Sequence, residues 1–167
     1  MPNTIELKFK FNNLNLLKAK KIIKKYPKNF AKSAVLPFLH LAQEQLGGWI
    51  NKPAIEYISK YLKVPLINVY EVVSFYHMFN QKDVGKHCIS VCTTTPCMLR
   101  GSDSVLKQFE KNLNIKTGEV TKDGSFSLHE IECLGACIDA PVIKINNNYY
   151  ENLKLDDIKK IVKNLKK

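Results

Sequence analysis

Residues 88–102 read CISVCTTTPCMLRGS and hold three of the chain's five cysteines. If residues 86–91 form a strand rising about 3.3 Å per residue, Cys88 lies roughly 13 Å before Cys92. That is too far for both to grip one small metal centre. Cys92 ends the strand, and the TTTP loop after it can bring Cys97 alongside. The spacing therefore pairs Cys92 with Cys97 and leaves Cys88 as a small buried hydrophobe.

The remaining cysteines stand in CLGACIDAP, as Cys133 and Cys137. Cys133 closes a second β-rich run, and Gly135 permits a tight turn behind it. Two loops then leave strand ends, each presenting two thiols. If the strands are neighbours and the loops share an edge, four thiolates converge. An odd cysteine count without a secretion signal argues against a disulfide framework. An all-sulfur site suits zinc or iron–sulfur. Structural zinc favours C-x2-C knuckles, and neither pair here is one. A [2Fe–2S] rhomb needs two thiolates per iron, which two such loops can supply. The spacing favours [2Fe–2S] and leaves zinc open.

Around this constellation the chain divides. Residues 14–26 read as a helix with Leu14, Leu17 and Ile22 near one face and lysines elsewhere, ended by Pro27. Further helices are expected over 32–47, over 52–62 with Pro53 in the first turn, and from Pro65 onward. In the last, Val69, Val72, Val73, Tyr76 and Phe79 recur at helical spacing and read as core. From residue 85 the texture becomes β-rich. Strands are expected at 85–92 and 124–133, with a helix over 102–114 capped by Ser102 between them. A hairpin over 141–152 turns around Asn146–Asn148, and a closing helix covers 156–167. The order is a helical segment, then β–α–β–β–β–α, an α+β chain. The joint falls in NQKDVGK, residues 80–86, giving a helical segment over 1–80 and an α/β domain over 81–167.

Composition excludes several classes. No run approaches the roughly 18–20 apolar residues of a membrane span, so no direct membrane insertion is expected. The stretch MPNTIELKFKFNN has neither an apolar h-region nor a cleavage site, so a cytosolic protein is expected. Residues 1–86 carry 14 lysines against 5 acids, a net +9, whereas the rest carries +2. Nucleic acid is a conceivable partner for such a face. Yet only one of 26 basic residues is Arg, the residue suited to bidentate contacts, so no specific nucleic-acid binding is expected. A Lys-rich solvated surface, or docking on an acidic protein, fits better. No GxGxxG or Walker loop occurs. His40, His77, His87 and His129 are scattered with no triad partners, so no catalytic residue is assigned.

VCTTTPCMLRGS, then CLGACIDAPVIKIN and YYENL, resemble the thioredoxin-like [2Fe–2S] ferredoxin family, in the branch of the 24 kDa-type subunits of respiratory complex I. VPLINVYEVVSFYHMFNQKDVGKHCISVC matches the link between helical segment and ferredoxin domain in that branch. The likeness covers roughly residues 30–155. It implies a thioredoxin-like domain and one [2Fe–2S] cluster on Cys92, Cys97, Cys133 and Cys137. It also implies a partner, the 51 kDa-type subunit that binds NADH and FMN, and other peripheral-arm subunits. The chain would be an electron-carrying subunit of NADH:quinone oxidoreductase, peripheral on the cytoplasmic side of a bacterial inner membrane, or on the matrix side if mitochondrial. NAD-linked hydrogenases and formate dehydrogenases share the module, and a diaphorase subunit of one is the alternative.

Donors and positive charge beside the sulfurs would favour the reduced state. Thr93, Thr94 and Thr95 offer hydroxyls and N–H groups, Gly135 a tight turn, and the 102–114 helix its positive end. Arg100 offers fixed charge at the cluster or, equally, a surface salt bridge. Glu130, Glu132 and Asp139 would act oppositely. Pro141 stands where thioredoxin-like folds often hold a cis-proline, and its isomer is not fixed by the sequence.

Overall fold

The computed structural model describes residues 8–166. The expected absence of a secretion signal concerns a stretch whose first seven residues lie outside that range. The chain forms two compact units, one up to Asp83 and one from Val84.

The first unit holds α1 (Asn13–Ile23), a 3-10 turn (Ala31–Ala34), α2 (Val35–Gln45), α3 (Lys52–Leu62) and α4 (Leu66–Phe75). Its core centres on Phe9, Phe11, Phe38 and Tyr57, whose rings meet edge to face at 5.3–5.7 Å. Asn12 and Asn51 cap α1 and α3 by accepting from Asn15 N and Ala54 N, the contribution expected of Asn at this position.

Three expectations fail here. The buried face of α1 carries Asn15 and Ala19, while Leu14 and Leu17 are 62% and 59% exposed. Ala19 permits close approach of the backbones, and the Asn15 amide is satisfied by Gln45 Oε1 at 3.0 Å and the Leu41 carbonyl at 3.5 Å. The 32–47 helix splits, because Pro37 lacks an N–H and belongs in a first turn, so the chain before Val35 tightens into the 3-10 turn. α4 stops at Phe75: Val69, Val73 and Phe79 are buried in the core as expected, but Phe79 lies beyond the helix and Tyr76 is exposed. The Ser74 hydroxyl donates to the Tyr70 carbonyl at 2.8 Å, a bond that competes with helix continuation.

The second unit holds β1 (His87–Cys92), α5 (Thr95–Leu99), α6 (Ser102–Leu113), β2 (Phe126–Ile131), a 3-10 turn (Cys137–Asp139), β3 (Ile143–Ile145), β4 (Asn148–Tyr150) and α7 (Leu155–Leu165). The sheet order is β2-β1-β3-β4. β1 and β2 are parallel, β1 and β3 antiparallel, and β3–β4 a hairpin. Parallel neighbours require a crossover, here α5 and α6. The register puts Ile89, Val91, Phe126, Leu128, Ile143 and Ile145 on one face. They bury against Val105, Phe109 and Leu113 of α6 and Ile158 and Val162 of α7. Each fully buried Phe, Leu or Ile contributes about 1.5–3 kcal/mol.

The short helix α5 was not expected. Ser102 is not a cap: Gly101, at φ +92, precedes α6, and the Ser102 hydroxyl is buried without a partner. Cys88 is half-buried rather than buried. It sits on the sheet face opposite the helices, and its N–H donates to Asn146 Oδ1 at 2.9 Å. Gly85 is required by contact: a Cβ there would lie 2.5 Å from the Phe126 carbonyl carbon.

Candidate metal centre

Because β1 and β2 run parallel, their C-terminal ends share one edge of the sheet. Cys92 is the last residue of β1, and Cys133 lies two residues beyond β2. β3 runs the other way, so its entry, Ala140–Pro141–Val142, arrives at the same edge. The Ala140–Pro141 peptide is cis. Cys92, Cys97, Ala140 and Val142 form a small buried cluster walled by Leu134 and Ala136.

The topology thus brings both cysteine pairs to one place. Cys133 Sγ and Cys137 Sγ are 3.5 Å apart. Cys92 and Cys97 share one buried cluster, close enough for each to shift the other's pKa. The Cys92 charge reaches Cys137, so the pairs are electrostatically linked. The thiols stand as two pairs, and among the described residues no group of three His, Cys, Asp or Glu closes on a single ion.

The pairs differ in surroundings. Cys92 and Cys97 are each 1% exposed, while Cys133 and Cys137 are exposed. Burial pushes the Cys97 thiol up to about 11, with Cys92 adding to the effect. Burial also acts to raise Cys92. There the Thr94 hydroxyl and the backbone N–H groups of Leu134 and Thr94 outweigh it, and the thiol lies below its ordinary value. A hydrogen bond with Cys133 is the main cause raising Cys137. Gly135, at φ +80, turns its N–H onto Cys133 Sγ at 3.3 Å.

The other flanking residues divide. Thr93 Oγ1 donates to Glu130 at 2.8 Å, tying the first loop to β2 rather than to sulfur. Thr95 is exposed in the first turn of α5. Arg100 is exposed past the end of α5 and joins none of the ion pairs among the described residues. The sequence favours Thr93 and Thr95 beside the cluster; the hydroxyl that meets sulfur is instead that of Thr94, whose Oγ1 lies 3.2 Å from Cys92 Sγ. A usable signal existed: Pro96 marks the first turn of a helix, which makes Thr94 or Thr95 its cap.

The donor set fits an iron–sulfur group. It is all sulfur, apolar on one wall, and supplied with N–H donors where anionic sulfur would need them.

The model of the family described as "Thioredoxin-like [2Fe-2S] ferredoxin" matches residues 19–166. The E-type subunit of the NADH-quinone oxidoreductase of Rickettsia conorii is 55% identical over 98% of both chains. The mitochondrial NADH dehydrogenase [ubiquinone] flavoprotein 2 of Dictyostelium discoideum is 48% identical, over 87% of this chain and 59% of its own. A crystal structure of an NAD+-reducing [NiFe]-hydrogenase in the air-oxidized state superposes with a TM-score of 0.71 at 20% identity, covering 84% of this chain and 24% of the hydrogenase chain. That likeness concerns the fold. With the family model spanning nearly the whole sequence, the chain belongs to the thioredoxin-like [2Fe–2S] ferredoxin family.

Proposed function

We propose that this chain is the E-type electron-transfer subunit of NADH:quinone oxidoreductase and holds one [2Fe–2S] cluster. The carrying observation is the pair of dithiol loops at the shared end of two parallel strands, in a chain that matches its E-type relatives over almost its whole length. Cys92 and Cys97 would hold the inner side of the cluster and Cys133 and Cys137 the outer. When bound, the cluster supplies one-electron redox chemistry. The chain's own part is to fix four thiolates, keep water from the inner pair with Ala140 and Val142, and direct N–H and O–H donors at sulfur.

The electron source is the flavin of a partner, the 51 kDa-type subunit that binds NADH and FMN. The helical unit, with its excess of lysines, is the docking element in this reading. No helix among the described residues is long and apolar enough to cross a membrane, which fits a place in a peripheral arm on the cytoplasmic face.

The test is EPR of the dithionite-reduced chain beside variants at each cysteine. A [2Fe–2S] signal in the wild type that is lost in Cys133→Ser or Cys97→Ser is expected. Colourless protein carrying stoichiometric zinc would overturn the reading. Assembly that survives proteolytic removal of residues 1–80 would overturn the docking role.

A further inference from the structure

Thr94 occupies a cap position without capping. It immediately precedes α5, with φ −67° and ψ 162°. From that position a Thr oxygen ordinarily accepts an N–H of the first turn. No such bond forms. The hydroxyl turns back to Cys92 Sγ at 3.2 Å. Its neighbours do not compete: Thr93 is engaged by Glu130, and Thr95 is exposed in the first turn of α5.

We infer that the Thr94 hydroxyl is a potential-setting group of this centre, donating a hydrogen bond to the Cys92 thiolate. The inference rests on Cys92 being a ligand, as proposed above. A thiolate has no proton to give, so the hydroxyl beside it must be the donor. Reduction takes up one electron and no proton, and adds negative charge to a cage that is already anionic. A hydrogen bond to the more negative sulfur is stronger, so the donor favours the reduced state. Cys92 is 1% exposed, so water cannot readily replace a missing hydroxyl. Leu134 N–H and Thr94 N–H also serve this sulfur, but backbone donors survive side-chain substitution. Thr94 is therefore the position at which the potential can be tuned.

The test is an EPR-monitored redox titration of the cluster-loaded full chain, comparing wild type with Thr94→Val, Thr94→Ser and Thr93→Val. Thr94→Val is expected to lower the reduction equilibrium constant about tenfold, which for one electron is ~59 mV more negative. Thr94→Ser keeps the hydroxyl and is expected at the wild-type midpoint, as is Thr93→Val. Should Thr94→Val fail to load, Thr94→Ala replaces it with the same expectation. A Val or Ala variant at the wild-type midpoint, or a Ser variant that falls with them, overturns the inference. Loss of the signal in wild type would instead sink the ligand reading itself, so the two failures are distinguishable.

Discussion

The backbone N–H of Cys92 donates to the carbonyl of Val142 at 3.1 Å. The last residue of β1 is thereby fastened to the entry of β3, and Val142, 1% exposed, forms the apolar wall beside the inner thiols. Val142→Ala keeps the backbone bond and removes the wall. It is expected to lower stability by about 1–3 kcal/mol through lost burial and the cavity left behind. Denaturant unfolding measures this, and a chelator should strip iron from the variant faster than from wild type. Equal stripping rates would show that the wall does not shield the site.

Cys88 is the control among the cysteines. It shares a strand with Cys92 but is half-buried and lies at the far end, held through its backbone N–H and C=O by Asn146. Cys88→Ser should leave the EPR signal and iron content unchanged. Loss of either would place Cys88 in the cage.

At Gly85 there is no room for a side chain. A Cβ would meet the Phe126 carbonyl carbon at 2.5 Å, its nitrogen at 2.7 Å and its Cα at 2.8 Å, all backbone atoms. Gly85→Ala must push the start of β1 away from β2, and is expected to destabilise the second unit by about 1–3 kcal/mol. Thermal unfolding followed by circular dichroism would detect this. An unchanged midpoint would mean that this edge of the sheet yields.

The orientation of α1 makes a paired prediction. Leu17→Ser alters an exposed side chain and should change stability by less than about 0.5 kcal/mol. Ala19→Leu inserts volume where Ala19 is fully buried, and should destabilise by about 1–3 kcal/mol. The opposite ranking in urea unfolding would restore the leucine face as the buried one.

His87 gives a pH dependence. Burial, followed by the neighbouring Lys86 charge, lowers its pKa, against a smaller raising effect from a hydrogen bond to the Leu165 carbonyl. The folded chain therefore binds this proton less readily than the unfolded one. Stability is complete above the unfolded value of about 6.5 and falls as the pH drops below it. His87→Phe should flatten that part of the stability–pH curve. An unchanged slope would assign it to another group.

The sequence exposed the site more fully than the helices around it. Strand rise alone separates Cys88 from Cys92, and the two C-x-x-x-x-C and C-x-x-x-C loops needed only a shared edge to meet. That edge follows from parallel pairing, which short β-rich runs do not declare; the crossover between them does. What stayed hidden depends on tertiary choice. Leu14 and Leu17 look like a core face until Asn15 finds Gln45. α5 has five residues, too few for a periodic signal, and only Pro96 betrays it. Three consecutive threonines differ little in sequence, yet one bonds a carboxylate, one a sulfur, and one lies exposed.

The parallel pairing of β1 and β2 has one more consequence. The cysteine pairs proposed as ligands come from segments joined through the α5–α6 crossover, and the observed register sets His87 against Phe126 and Cys92 against Ile131. A slip of one residue turns every β2 side chain to the opposite face and moves Cys133 by about 3.3 Å. A chain paired out of register still buries some apolar surface, but it cannot hold four sulfurs around one inorganic core. If the two cysteine pairs hold the cluster as proposed, iron content also reports on the register of β1 and β2.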